Sequence, residues 1–162
     1  MFKVKASYSE QFEVRASAAK VREFFADTRN FVELMAGIES IRAGADGVTH
    51  WKIRAEIPFL GAMTETFDVK LSENSENLIE WTPAASDAGN LLRYAADFAE
   101  EDGRTKIHIS QTVEVRREKA SDLHMLAGWA GETIISQQMQ SRVETMIKTF
   151  FEAARKKLEK GK

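Results

Sequence analysis

Apolar and polar residues alternate from residue 2 to residue 15. Phe2, Val4, Ala6, Tyr8, Phe12 and Val14 fall on one face, and Lys3, Lys5, Ser7, Ser9, Gln11, Glu13 and Arg15 on the other. A period of two over this length predicts a half-buried strand. Ser17 stands where an N-cap belongs, and Val21, Phe24 and Phe25 then take helical spacing. Asp27 to Asn30 interrupts that helix, and Phe31 to Met35 reads as a second short helix stopped near Gly37.

Strand patterns follow with no helix between them. Ile38 to Ala43 leads into the turn Gly44-Ala45-Asp46-Gly47. Val48 to Ile57 sets Trp51, Ile53, Ala55 and Ile57 against His50, Lys52, Arg54 and Glu56. Pro58-Phe59-Leu60-Gly61 breaks the pattern, after which Met63, Phe67, Val69 and Leu71 share a face. Glu73 to Asn77 is a polar turn before the short strand Leu78 to Thr82, and Pro83 to Gly89 is a loop. Leu92, Tyr94, Ala96 and Phe98 mark another strand, and Glu101-Asp102-Gly103 is a hairpin turn. Thr105, Ile107, Ile109, Val113 and Val115 mark the last one.

Residues 118–131 show neither period. From Glu132 the period becomes 3.6, and Ile135, Met139, Val143, Met146, Ile147, Phe150, Ala154 and Leu158 form one stripe. A helix of that extent is about 40 Å long. That length suits a bent sheet of about seven strands spaced ~4.8 Å apart. No internal repeat, low-complexity run or linker divides the 162 residues, so residues 1–162 read as a single domain.

Composition narrows the function. Hydrophobic residues make up 43% and charged residues 30%, and the net charge is −2. That balance argues against a nucleic-acid partner, which needs clustered cations. Cysteine is absent, which removes disulfides, a thiol nucleophile and thiolate metal ligands. No apolar run is long enough to span a bilayer and the N-terminus lacks a secretory core, so a cytoplasmic location without an integral membrane segment is expected.

The run from Phe12 to Asp27 (FEVRASAAKVREFFAD) resembles the opening of the START-like superfamily of polyketide cyclases, dehydrases and lipid-transport proteins (SRPBCC), whose shared architecture is the helix-grip fold. Ser17 stands where that family usually has Pro, and Arg22 where it usually has Trp. The strand–turn–strand from Trp51 to Leu71, with Gly61 at the turn, resembles the carbon monoxide dehydrogenase G branch of that superfamily. The resemblance implies an α+β fold: a seven-stranded, curved antiparallel sheet around one long C-terminal helix, with two short helices between strands 1 and 2. It also implies a cavity between sheet and helix that holds apolar molecules or lipids. It carries over no catalytic residue, no cofactor and no metal.

Polar residues interrupt the apolar strand faces at Glu10, Glu65 and Gln111. A carboxylate buried alone is costly, so these groups suit a polar patch that orients a ligand inside an apolar cavity. Pairing of the first and last strands, which the resemblance implies, would bring Glu10 near Gln111. The plain alternative is a β-bulge that turns all three to solvent. Tyr8, Trp51, Trp81 and Tyr94 on the strands, and Met139, Met146 and Phe150 on the helix, complete the expected cavity lining, with core packing as the alternative for each. The segment Leu123 to Trp129 either gates the cavity or tucks its apolar side chains beneath itself. His50, His108 and His124 lack metal-ligand spacing. Arg155, Lys156, Lys157, Lys160 and Lys162 form a basic end that complements a helix dipole.

Three functions fit this reading. The first is a non-catalytic carrier of an apolar small molecule or lipid. The second is a polyketide cyclase or dehydratase-type enzyme, with Glu10 as acid or base and Tyr8, Tyr94 or Gln111 orienting the substrate. The third is an accessory or assembly protein that uses residues 118–131 and the basic end for peripheral contact with a membrane or partner.

Overall fold

The computed structural model describes residues 1–58, 60–85 and 88–160. Phe59 of the expected break, Ser86 and Asp87 of the expected loop and Lys162 of the basic end lie outside the described residues. Seven strands form one antiparallel sheet: β1 (Phe2–Val14), β2 (Ile38–Ala43), β3 (Val48–Ile57), β4 (Gly61–Asn74), β5 (Leu78–Pro83), β6 (Asn90–Glu101) and β7 (Arg104–Arg117). Their order across the sheet is β1-β7-β6-β5-β4-β3-β2. Each hairpin therefore joins neighbours, and only the step from β1 to β2 crosses the sheet. The two short helices α1 (Ala18–Ala26) and α2 (Thr28–Leu34) make that crossing.

Local chemistry sets these boundaries. Ser17 Oγ accepts a hydrogen bond from Lys20 N at 3.2 Å and caps α1. Asp27 both stops α1 and caps α2, its carboxylate accepting from Arg29 N at 3.0 Å. The Arg29 guanidinium folds back on the same carboxylate and, with that backbone bond, holds its pKa down at about 2. The second helix therefore starts at Thr28, three residues earlier than the apolar pattern predicted. Asp102 and Gly103 both take positive φ, 55° and 76°, so the β6–β7 hairpin closes with a turn whose twist matches its strands. Register shifts between Ile38 and Ser40 and between Leu71 and Glu73 mark bulges that bend the sheet.

A one-turn helix, α3 (Ala127–Ala130), interrupts the segment that showed no period in the sequence. The long helix α4 (Glu132–Glu159) lies against β1, a sheet edge. Three successive outward amides of β1 donate to three successive turns of the helix. Lys3 N reaches Glu132 Oε2 at 2.5 Å, Lys5 N reaches Ser136 Oγ at 3.0 Å, and Ser7 N reaches Gln140 Oε1 at 2.8 Å. Four helical residues rise about 6 Å and two strand residues about 6.8 Å, so the two ladders stay in step for a few rungs. The helix thereby satisfies backbone donors that an open edge would offer to another strand.

The interior between sheet and helix has two unlike halves. Phe24 and Phe25 of α1, Phe31 of α2, Trp51, Tyr94 and Phe98 of the strands and Phe150 of α4 fill one half as a single aromatic cluster, with ring centroids 5.2 to 6.5 Å apart. The other half, under the first turns of α4, is not filled.

Candidate functional site

The unfilled half is a cavity of about 90 Å³. Its floor is the concave face of the sheet: Val113 and Val115 of β7, Met63 and Phe67 of β4, and Ile53, Ala55 and Ile57 of β3. Its roof is the face of α4 that carries Ile135, Met139, Val143 and Met146. Helical spacing puts these four in line, and the sheet's period of two puts alternate strand residues beneath them. Leu123 closes one side.

Three polar side chains interrupt this wall: Glu65, Gln111 and Arg142. Glu65 is held from behind. Arg117 Nη2 donates to its Oε2 at 2.9 Å and Asn90 Nδ2 donates to the same oxygen at 2.8 Å. Arg117 also donates to Asn90 Oδ1 at 2.9 Å, which closes a triangle. The Glu65 and Arg117 side chains are only 23% and 22% exposed, so the pair neutralises a charge that would be costly alone. Gln111 is 6% exposed and stands opposite Tyr8 of β1 and Tyr94 of β6.

Ten residues were expected to line the cavity. Glu65, Gln111, Met139 and Met146 do so. Trp51, Trp81, Tyr94 and Phe150 lie on the same faces but in the aromatic half, where they pack on one another or on Phe31. Tyr8 and Glu10 stay beside each other outside the lining, with Tyr8 Oη donating to Glu10 Oε2 at 2.9 Å. Burial, and then the bond to Glu10, raise the Tyr8 hydroxyl pKa. The β1–β7 register runs without a bulge from Phe2 to Val14 and sets Glu10 opposite Ile109, two residues from Gln111. The bulge that would have turned Glu10 and Gln111 to solvent does not occur.

Tyr94 is fully enclosed, and neither its hydroxyl nor Trp81 Nε1 has a hydrogen-bond partner among the described residues. Burial drives the Tyr94 pKa far above the ordinary range, so the group stays neutral. An enclosed hydroxyl with no partner costs stability. Tyr94→Phe should therefore stabilise the fold by about 1 kcal/mol, roughly 3 °C in Tm, as read by calorimetry. A lower Tm would mean that the hydroxyl is satisfied in solution.

Twelve of the sixteen lining residues were not among those expected there. Val113 and Val115 read only as members of the last strand's apolar face. Leu123 was one of four apolar residues in an irregular segment, and the structure turns it inward while Met125 and Trp129 stay 84% and 74% exposed. Arg142 flanks the apolar stripe, three residues after Met139 and four before Met146. That helical spacing was the available signal. Among the described residues no group of His, Asp and Glu could hold a metal ion. His50 pairs with Asp68 at 2.6 Å, and His108 lies between Ser9 and Asp97.

No family model matches the chain. No curated protein matches it either. Solved structures do. The Zhui aromatase/cyclase from a Streptomyces species is 12% identical, with a TM-score of 0.64 over 94% of each chain. The di-domain ARO/CYC BexL is 18% identical with a TM-score of 0.63, and the alignment covers 96% of this chain and 50% of BexL. The chain thus spans half the length of that protein. A START superfamily protein from Mycobacterium smegmatis is 18% identical with a TM-score of 0.53, over 86% of this chain and 97% of that one. The fold is the START-like helix-grip fold that the resemblance implied, a curved antiparallel sheet of seven strands gripping a long C-terminal helix. The finer likeness to the carbon monoxide dehydrogenase G branch rests on the strands around Gly61 alone.

Proposed function

We propose that the protein binds an apolar small molecule, or the apolar part of a larger one, between its sheet and α4. One observation carries this reading. The cavity wall is apolar except at three side chains, and the one carboxylate among them is already neutralised by Arg117. Small-molecule sites have this composition, a mostly apolar wall with a few convergent polar groups. A volume of about 90 Å³ is small beside the roughly 300–1,000 Å³ of sites that enclose a whole drug-sized ligand. The resting cavity therefore suits a slender chain or single ring. Met139 and Met146 are unbranched and adapt their shape, which lets the roof yield to something larger. Organic extraction and native mass spectrometry of the purified protein test this. An apolar compound in the extract and a matching added mass on the protein are expected. A protein that carries nothing and takes up no added octanol would overturn the reading.

The likeness to two aromatase/cyclases favours a second reading, an enzyme of cyclase or dehydratase type. Glu65 is then a better choice of acid–base group than Glu10, because Glu65 faces the cavity and Glu10 is bonded to Tyr8 outside it. On this reading Glu65→Gln abolishes turnover with the fold intact, whereas a carrier has no turnover to lose and keeps most of its binding. The cytoplasmic location expected from the sequence is part of the proposal. No helix among the described residues is long and apolar enough to cross a membrane.

A further inference from the structure

Resting on the cavity reading above, we propose that the ligand is an anion: an apolar chain or ring with one carboxylate or similar acidic group, its tail in the cavity and its acid on Arg142. The lining side chains are buried or half-buried with one exception among the described residues, and that exception is Arg142, which is exposed. Arg142 is thus the most solvent-accessible member of the cavity wall. Arg142 makes no hydrogen bond or ion pair with any described residue. The other charged member of the wall, Glu65, already has Arg117 at 2.9 Å. The wall thus carries one positive charge without a partner among the described residues, and it is on the most exposed lining side chain.

Physical chemistry favours an acid in this place. An arginine on an apolar rim can lay its stem along apolar neighbours and keep its head in water. The planar fork presents parallel donors that match a carboxylate in two hydrogen bonds. The apolar wall nearby weakens screening, so the pair is stronger there than on an open surface. A ligand acid beside Glu65 would meet a carboxylate that Arg117 already matches, whereas Arg142 offers a cation without a partner among the described residues. An ammonium ligand has the opposite difficulty at Arg142. Gln111, neutral and inside, remains available for a carbonyl or hydroxyl on the tail.

Calorimetric titration of the full chain with octanoate, octanol and octylammonium tests the proposal. Octanoate should bind at least about tenfold more tightly than octanol, the value of a charge-assisted hydrogen bond. Octylammonium should bind most weakly. Arg142→Gln should bring octanoate down to the affinity that the same variant shows for octanol. Arg142→Lys should keep part of the preference, because it retains the charge and loses the fork. The site is exposed on a helix, so the variants should fold, and circular dichroism reports whether they do. Equal affinity for octanoate and octanol, or a preference that survives Arg142→Gln, would overturn the proposal and leave the cavity reading in place. Failure of all three compounds to bind would overturn both.

Discussion

Val113→Phe should weaken ligand binding roughly seventyfold while leaving the fold intact. Val113 sits on β7, paired with Ala6 on one side and Leu92 on the other, and its side chain points into the cavity. A phenylalanine there carries its extra ring atoms into space that no protein atom occupies. In a tightly packed interior the same change forces neighbours apart and costs about 1–3 kcal/mol. Here the ring has room, and the cost should stay below about 1 kcal/mol. A ligand tail that loses about 100 Å² of apolar contact loses about 2.5 kcal/mol at ~25 cal/mol per Å², roughly seventyfold in affinity. Titration with octanol and thermal melting of the same sample read both quantities. Retained affinity would mean that ligand binds elsewhere. Loss of stability by several kcal/mol would mean that this half of the interior is already full.

The complementary prediction concerns the other half. Phe150 is fully buried, stacked on Phe31 at 5.2 Å and edge-on to Phe25 at 5.8 Å. Phe150→Ala removes a ring that three elements share, and the neighbours cannot collapse into the gap without breaking one another's contacts. The expected loss is about 4 kcal/mol, a large part of the total stability of a domain. With a urea m-value of about 2 kcal/mol/M, the unfolding midpoint falls by about 2 M. Met139→Ala, about three turns earlier on the same helix, should cost only about 1 kcal/mol. Part of its surface faces the cavity and has no contacts to lose. The contrast between two apolar positions on one helix stripe is the signature of an interior packed at one end and hollow at the other. Equal losses at both positions would remove that distinction.

These two predictions also show where sequence reasoning succeeds and where it stops. Period two in Val48 to Ile57 and period 3.6 from Glu132 onward gave strand and helix bounds that match the structure at their starts. The signals are local, so one sequence suffices. Ser17 was legible as a cap for the same reason. Which apolar face residues enclose space was not legible. Trp51 and Ala55 share a face of β3, yet one lies in the aromatic cluster and the other on the cavity wall. The difference comes from Phe31 and Phe150, which are remote in sequence and cover only one end of the sheet. Glu10 shows the same limit. Its face was read correctly, but an edge strand under α4 put it against Tyr8 and not in the hollow. Arg142 was missed because an apolar stripe draws attention to its members and away from a cation beside it.

The hollow half of the interior can be tested without knowing the ligand. Xenon enters dry apolar cavities of proteins. A crystal of the ligand-free protein under xenon pressure should show one strong xenon peak among Val113, Met139 and Val143, and none within the aromatic cluster around Phe150. A crystal with no xenon beneath the first turns of α4, and with side chains closed over that space, would contradict the account.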